Sequence, residues 1–103
     1  MQYSLFSSTS RSLSISLSEG KFTFEGEDFG DECVKMNGSR YYEFYYALDE
    51  RGTAKLIASL EEKYGEDTEL ELMLKEEFGS DDGSVKFVKF CERNGISTAF
   101  YSF

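Results

Sequence analysis

Ser12-Leu13-Ser14-Ile15-Ser16-Leu17-Ser18 alternates serine with branched aliphatic residues without a break. Strand side chains point to opposite faces with a period of two, so this run predicts a half-buried strand with its serines on the wet face. The eight serines between Ser4 and Ser18 therefore read as sheet rather than low complexity. Tyr3 to Phe6 predicts an earlier strand, with Ser7 to Arg11 as the turn. Glu19-Gly20 predicts a tight turn into Lys21-Phe22-Thr23-Phe24-Glu25, making a hairpin. From Gly26 to Gly38 the pattern gives way to an acidic, glycine-punctuated connection with room for a helical turn around Cys33 to Met36.

Period two returns from Arg40 to Leu48. Tyr42, Phe44, Tyr46 and Leu48 line one face, and Tyr41, Glu43, Tyr45 and Ala47 the other. Bulk on both faces predicts a central strand, or one whose second face binds. The Tyr41 and Tyr45 face is either covered by a terminal strand or presented to a ligand. Three helical stripes follow at 3.6-residue spacing. The first, Thr53, Leu56, Ile57, Leu60 and Tyr64, has Asp49 as its N-cap and Gly65 as its closing glycine. The second, Leu70, Met73, Leu74 and Phe78, opens on the capping-box spacing Thr68-Glu69-Leu70-Glu71 and stops at Gly79. The third, Phe87, Val88, Phe90 and Cys91, is capped from Ser80-Asp81-Asp82 and ends at Asn94-Gly95. Ile96 to Phe103 predicts a last strand tucked into the sheet. The expected fold is α+β: an antiparallel sheet of four to five strands with three helices packed on one side. At 103 residues, 1–103 reads as a single domain.

Charge is segregated along this frame. Ten of the twenty carboxylates lie between Glu61 and Asp82, opposed only by Lys63 and Lys75, a net of −8 against −9 for the whole chain. The run Glu25, Glu27, Asp28, Asp31 and Glu32 holds no base, whereas the last 21 residues carry +2. With 40% apolar and 17% aromatic residues there is still enough material for a core, so the acidity does not imply disorder. Net negative charge argues against nucleic acid or an anionic membrane as direct ligand and favours a basic protein partner. The opening Met1-Gln2-Tyr3-Ser4-Leu5-Phe6 lacks a basic n-region and a long apolar core, and no stretch is apolar enough to span a membrane, so a cytoplasmic protein is expected. Cys33 and Cys91 fit neither a disulfide scaffold nor a zinc cluster and read as free thiols, with a bridge between them as the other arrangement.

No histidine is present, which removes the commonest general base, the Ser-His and Cys-His pairs and most transition-metal sites. Among the carboxylates, Glu43 between aromatic residues is the best candidate for a raised pKa, though a surface glutamate is the simpler reading. Asp81-Asp82-Gly83 fails as a calcium loop, because placing Gly83 sixth puts Phe78 where the first aspartate belongs. These aspartates read as helix-start residues. No catalytic residue, metal site or cofactor is expected. The partner-binding candidates are Glu61, Glu62, Glu66, Asp67, Glu69, Glu71, Leu72, Glu76, Asp81 and Asp82. Leu72 points away from its helix's apolar stripe, ringed by carboxylates as an interface anchor would be, unless a neighbouring helix covers it. Secondary candidates are Glu25, Glu27, Asp28, Asp31, Glu32, Tyr41, Glu43 and Tyr45. Lys86, Lys89 and Arg93 share a face that is solvated, paired with nearby acids or a minor partner contact.

From Lys21 onward the chain resembles small acidic immunity proteins of bacterial polymorphic and contact-dependent growth inhibition toxin systems. The residues carrying the resemblance are Phe24-Glu25-Gly26-Glu27-Asp28-Phe29-Gly30, Tyr41-Tyr42-Glu43-Phe44-Tyr45-Tyr46 leading into Leu48-Asp49, and Phe78 through Phe90-Cys91 to Gly95-Ile96. Size, acidity and the order sheet, helices, strand also match. The resemblance implies a cytoplasmic, non-catalytic protein that binds one cognate toxin, often a basic nuclease, and blocks its active site. Two other readings share some of these features. One is a nucleic-acid mimic that inhibits a DNA-binding protein. The other is a small-ligand or enzyme domain that uses the aromatic strand and Glu43.

Overall fold

The computed structural model describes residues 1–30, 38 and 41–102. Strands β1 (Gln2–Ser7), β2 (Arg11–Ser18), β3 (Lys21–Phe29), β4 (Tyr41–Ala47) and β5 (Ala99–Ser102) form one antiparallel sheet in the order β1-β2-β3-β4-β5. Helices α1 (Glu50–Tyr64), α2 (Leu70–Phe78) and α3 (Gly83–Arg93) lie between β4 and β5 in the chain. They pack on one face of the sheet, as the α+β expectation requires.

The serine alternation sorts β2 as predicted. Leu13 and Ile15 are fully buried, while the serines face the other way. Glu19 (φ 53°) and Gly20 (φ 73°) are both left-handed, giving the two-residue turn whose twist matches its flanking strands. Core rings from β3 meet those of the helices: Phe24 stacks on Phe87 at 4.8 Å, and Phe78 meets Phe24 edge-on at 6.3 Å. The Thr53 hydroxyl accepts from the buried Phe22 N–H at 2.9 Å and so fixes α1 on β3. Asp49 caps α1 by accepting from the Gly52 N–H at 2.7 Å.

Several expectations change. β3 does not stop at Glu25 but runs on to Phe29, with Gly26 inside the strand. Gly26 lies opposite Phe44, and a Cβ there would come within 2.2 Å of the Phe44 ring. The glycine that reads as a breaker is the site where the neighbouring ring crosses the backbone. The capping box at Thr68 does not form. Its hydroxyl instead donates to the Tyr64 carbonyl at 2.8 Å, and Glu69 precedes α2 without a side-chain cap bond. β5 is shorter than Ile96 to Phe103 and is not tucked in: it forms the sheet's edge, and all four of its residues are exposed. Cys91 is a free, buried thiol whose pKa burial pushes up to about 12, so it stays protonated. Cys33, the helical turn around Cys33 to Met36, and Phe103 lie outside the described residues.

The close approach at Gly26 has a measurable cost. Gly26→Ala is expected to lower the unfolding free energy by about 1–3 kcal/mol, since the packed Phe44 ring has little room to move. Adding Phe44→Leu should recover part of that loss. Wild-type stability for Gly26→Ala in denaturant titrations would contradict the packing.

Candidate functional site

Alternation assigns every residue of β3 and β4 to one of two faces. Phe22, Phe24 and Gly26 turn toward the helices with Tyr42, Phe44 and Tyr46. Thr23, Glu25 and Glu27 turn away, together with Tyr41, Glu43 and Tyr45. On this outer face Glu25 lies opposite Tyr45, Glu27 opposite Glu43, and Phe29 opposite Tyr41. β5 adds Tyr101 opposite Tyr45, with the two rings stacked at 4.8 Å and 22°. Ser12 and Ser14 continue the same face beyond Glu27 and Glu25. Glu25 and Glu27 of the acid-only run and the outward residues of the aromatic strand thus share one surface.

Like charges directly opposite across a strand pair are destabilising. Among the described residues no lysine or arginine forms an ion pair with Glu25, Glu27 or Glu43. Partial burial raises the Glu25 carboxyl above its ordinary value, and the charges of Glu43 and Glu27 raise it further. The Tyr41 phenol is raised by desolvation and then by the negative charges of Glu27 and Glu43. Tyr41 and Tyr101 are each about half exposed, so aromatic area reaches solvent beside these carboxylates.

The secondary candidates divide. Glu25, Glu27, Tyr41, Glu43 and Tyr45 meet here, whereas Asp28 falls on the helix side. Asp28 accepts from Arg11 Nε at 2.6 Å and Nη2 at 3.2 Å, while Arg11 Nη1 donates to the Asp81 carbonyl at 2.9 Å. That clamp ties β2 and β3 to the turn before α3, so Asp28 is a structural ion-pair partner and not a free surface acid. Asp31 and Glu32 lie outside the described residues. Tyr101 was not among the sequence candidates. Its signal was the aromatic alternation at the chain's end, which reads equally well as core.

The main run of candidates is spread over the helical layer. Glu61 and Glu62 end α1, Glu66 and Asp67 lie in the following turn, and Glu69, Glu71 and Glu76 lie before and along α2. Asp81 and Asp82 lead into α3. Leu72 is 57% exposed, so no neighbouring helix covers it. Part of this charge is compensated locally. Glu71 pairs with Lys75 at 3.3 Å, Asp82 with Lys86 at 3.5 Å, and Glu77 with Lys63. A hydrogen bond from Ser80, reinforced by Lys86, lowers the Asp82 pKa. Lys86, Lys89 and Arg93 share an open groove of about 420 Å³ with Glu76, Glu77 and Glu92, so the basic face of α3 looks onto acids.

Tyr46, Val85 and Val88 line a groove of about 350 Å³ on the helix side of the sheet, and Glu43 points from the opposite side. Glu43 therefore does not line this groove. Among the described residues, no group of three or more His, Cys, Asp or Glu side chains is placed to hold a metal. No helix among them is long and apolar enough to cross a membrane. Compared with protein-family models, curated proteins and solved structures, the chain matches none.

Removing one repelling carboxylate should stabilise the fold. Glu43→Gln is expected to add about 0.2–1 kcal/mol at neutral pH, with a smaller gain in high salt. The raised Glu25 pKa makes the native state hold its proton more tightly than the unfolded state. Its contribution is complete below the ordinary carboxylate pKa and is lost as pH rises through the folded value. The gain from Glu43→Gln should therefore fade as pH falls below the carboxylate range. Denaturant titrations across pH check this, and a variant less stable than wild type at neutral pH would contradict the repulsion.

Proposed function

We propose that the chain is a non-catalytic, immunity-type inhibitor that binds and neutralises a cognate bacterial toxin in the cytoplasm, most simply a basic nuclease domain. The observation that carries this reading is the outer sheet face, where Glu25, Glu27 and Glu43 lie together, none of them in an ion pair with a described lysine or arginine, with Tyr41, Tyr45 and Tyr101 beside them. A fold that keeps like charges on adjacent strands gives up stability, and lysines or arginines of a partner relieve that repulsion on docking. The tyrosines add rigid contact area and faces for cation–π contacts. The basic side chains with which a nuclease holds phosphate would be occupied by carboxylates instead, which blocks its substrate.

The acids from Glu61 to Asp82 act at longer range. A surface field of this kind steers encounter and can raise association rates to about 10⁸–10⁹ M⁻¹s⁻¹ at low salt. Speed of capture suits an inhibitor that must act before its target does. Leu72, exposed between Glu69 and Glu76, offers a second anchor. The resemblance to toxin-immunity proteins supports the same class.

Affinity capture from the native cell, followed by mass spectrometry, should return one basic toxin domain. Its association with the chain should slow steeply as salt rises, and Glu27→Lys with Glu43→Lys should weaken binding by about tenfold or more. A salt-independent association rate would overturn the electrostatic mechanism. Capture of many unrelated DNA-binding proteins, all displaced by generic DNA, would favour nucleic-acid mimicry instead.

A further inference from the structure

β5 ends the described sheet, and its free side is open in a specific way. In an antiparallel strand the N–H and C=O of one residue point to the same side, and successive residues alternate. The Leu48 N–H donates to the Phe22 carbonyl at 2.9 Å, so even-numbered residues along β4 bond toward β3 and odd-numbered residues toward β5. Tyr45 and Ala47 therefore exchange bonds with their partners Tyr101 and Ala99. The N–H and C=O groups of Phe100 and Ser102 point out of the sheet edge. Natural edge strands are usually blunted by lysine, proline, a bulge or an inward charge. Ala99-Phe100-Tyr101-Ser102 has no proline and no charge.

The two faces beside this edge differ in chemistry. On the helix side Phe100 packs on Tyr46 with ring centroids 5.0 Å apart yet stays 52% exposed, and Tyr46 opens onto the groove with Val85 and Val88. On the outer side Tyr101 and Tyr45 lead inward to Glu25 along one cross-strand row. We infer that β5 is a docking edge for an extended strand of the basic partner, one whose side chains alternate between apolar and basic. Its backbone bonds to Phe100 and Ser102, its apolar residues cover Phe100 on the helix side, and its lysines or arginines lie over Tyr101 toward Glu25. Charge selects this occupant over a second copy of the chain, because each copy carries −9.

The inference rests on reading the chain as a binder of a basic protein, and its test separates the two. An acetylated, amidated Val-Lys repeat peptide is titrated into the isotope-labelled chain and followed by NMR, with a Val-Glu repeat as control. The Val-Lys peptide should slow amide exchange at Phe100 and Ser102 and shift Tyr45 and Tyr101, and the control should do neither. Ser102→Pro removes an outward N–H at an edge position where proline is tolerated, and should weaken the peptide by about tenfold while the rest of the spectrum stays folded. Binding near Glu25 and Glu43 without protection at Phe100 and Ser102 would overturn the docking edge and leave the acidic binding face intact. Equal binding of both peptides, no binding of either, or edge amides already protected by self-association would also overturn it. Failure of the captured basic toxin domain to bind the chain at all would remove the underlying reading as well.

Discussion

The ring cluster of Phe22, Phe24, Phe78 and Phe87 is the contact on which the rest of the molecule depends. Two of these rings come from β3, one from α2 and one from α3, and all four are buried. They hold the helices to a single side of the sheet. The pleat then sends the intervening residues of β3 to the opposite side, where no helix among the described residues packs. The placement of these residues on the outer face is thus a geometric consequence of how the core is built. What is particular to this chain is that β3 places glutamates on this face and β4 and β5 place tyrosines beside them, where β2 presents serines.

The same pleat separates acids that look alike in sequence. Asp28 is one residue from Glu27, yet it faces the helices and is clamped by Arg11, while Glu27 faces outward against Glu43. One carboxylate contributes to holding the sheet to the turn before α3, and the other repels its neighbour across the strand pair. Gly26 is what keeps both in register. A side chain at this position would meet the Phe44 ring, so glycine lets the strand continue where the sequence pattern falters.

Much of the fold was legible in the sequence because burial there is periodic. The serine alternation, the Glu19-Gly20 turn and the three helical stripes all correspond to elements, and Asp49 caps α1 as its position suggests. The failures have local physical reasons. Gly26 was read as a breaker because a glycine's tolerance of a crossing ring depends on a partner strand fifteen or more residues away. The edge position of β5 depends on sheet order, which periodicity does not encode. For the candidate site, sequence identified the acids and the aromatic strand separately but ranked the helical run first, on the strength of its charge density. Their convergence on one face required the register of β3 on β4, and Tyr101 entered only with that of β5. Leu72 reads from sequence as either an anchor or a covered residue, and at 57% exposed it is not covered by a neighbouring helix.

The proposed division of labour between a docking sheet face and a steering helical layer can be tested in one measurement. Amide hydrogen exchange of the chain is compared alone and with its captured partner. The expected result is added protection across β3, β4 and β5, centred on Glu25, Tyr45 and Tyr101, with α2 around Leu72 little changed. Protection confined to α2 and its flanking turns, with the sheet exchanging as in the free chain, would contradict it.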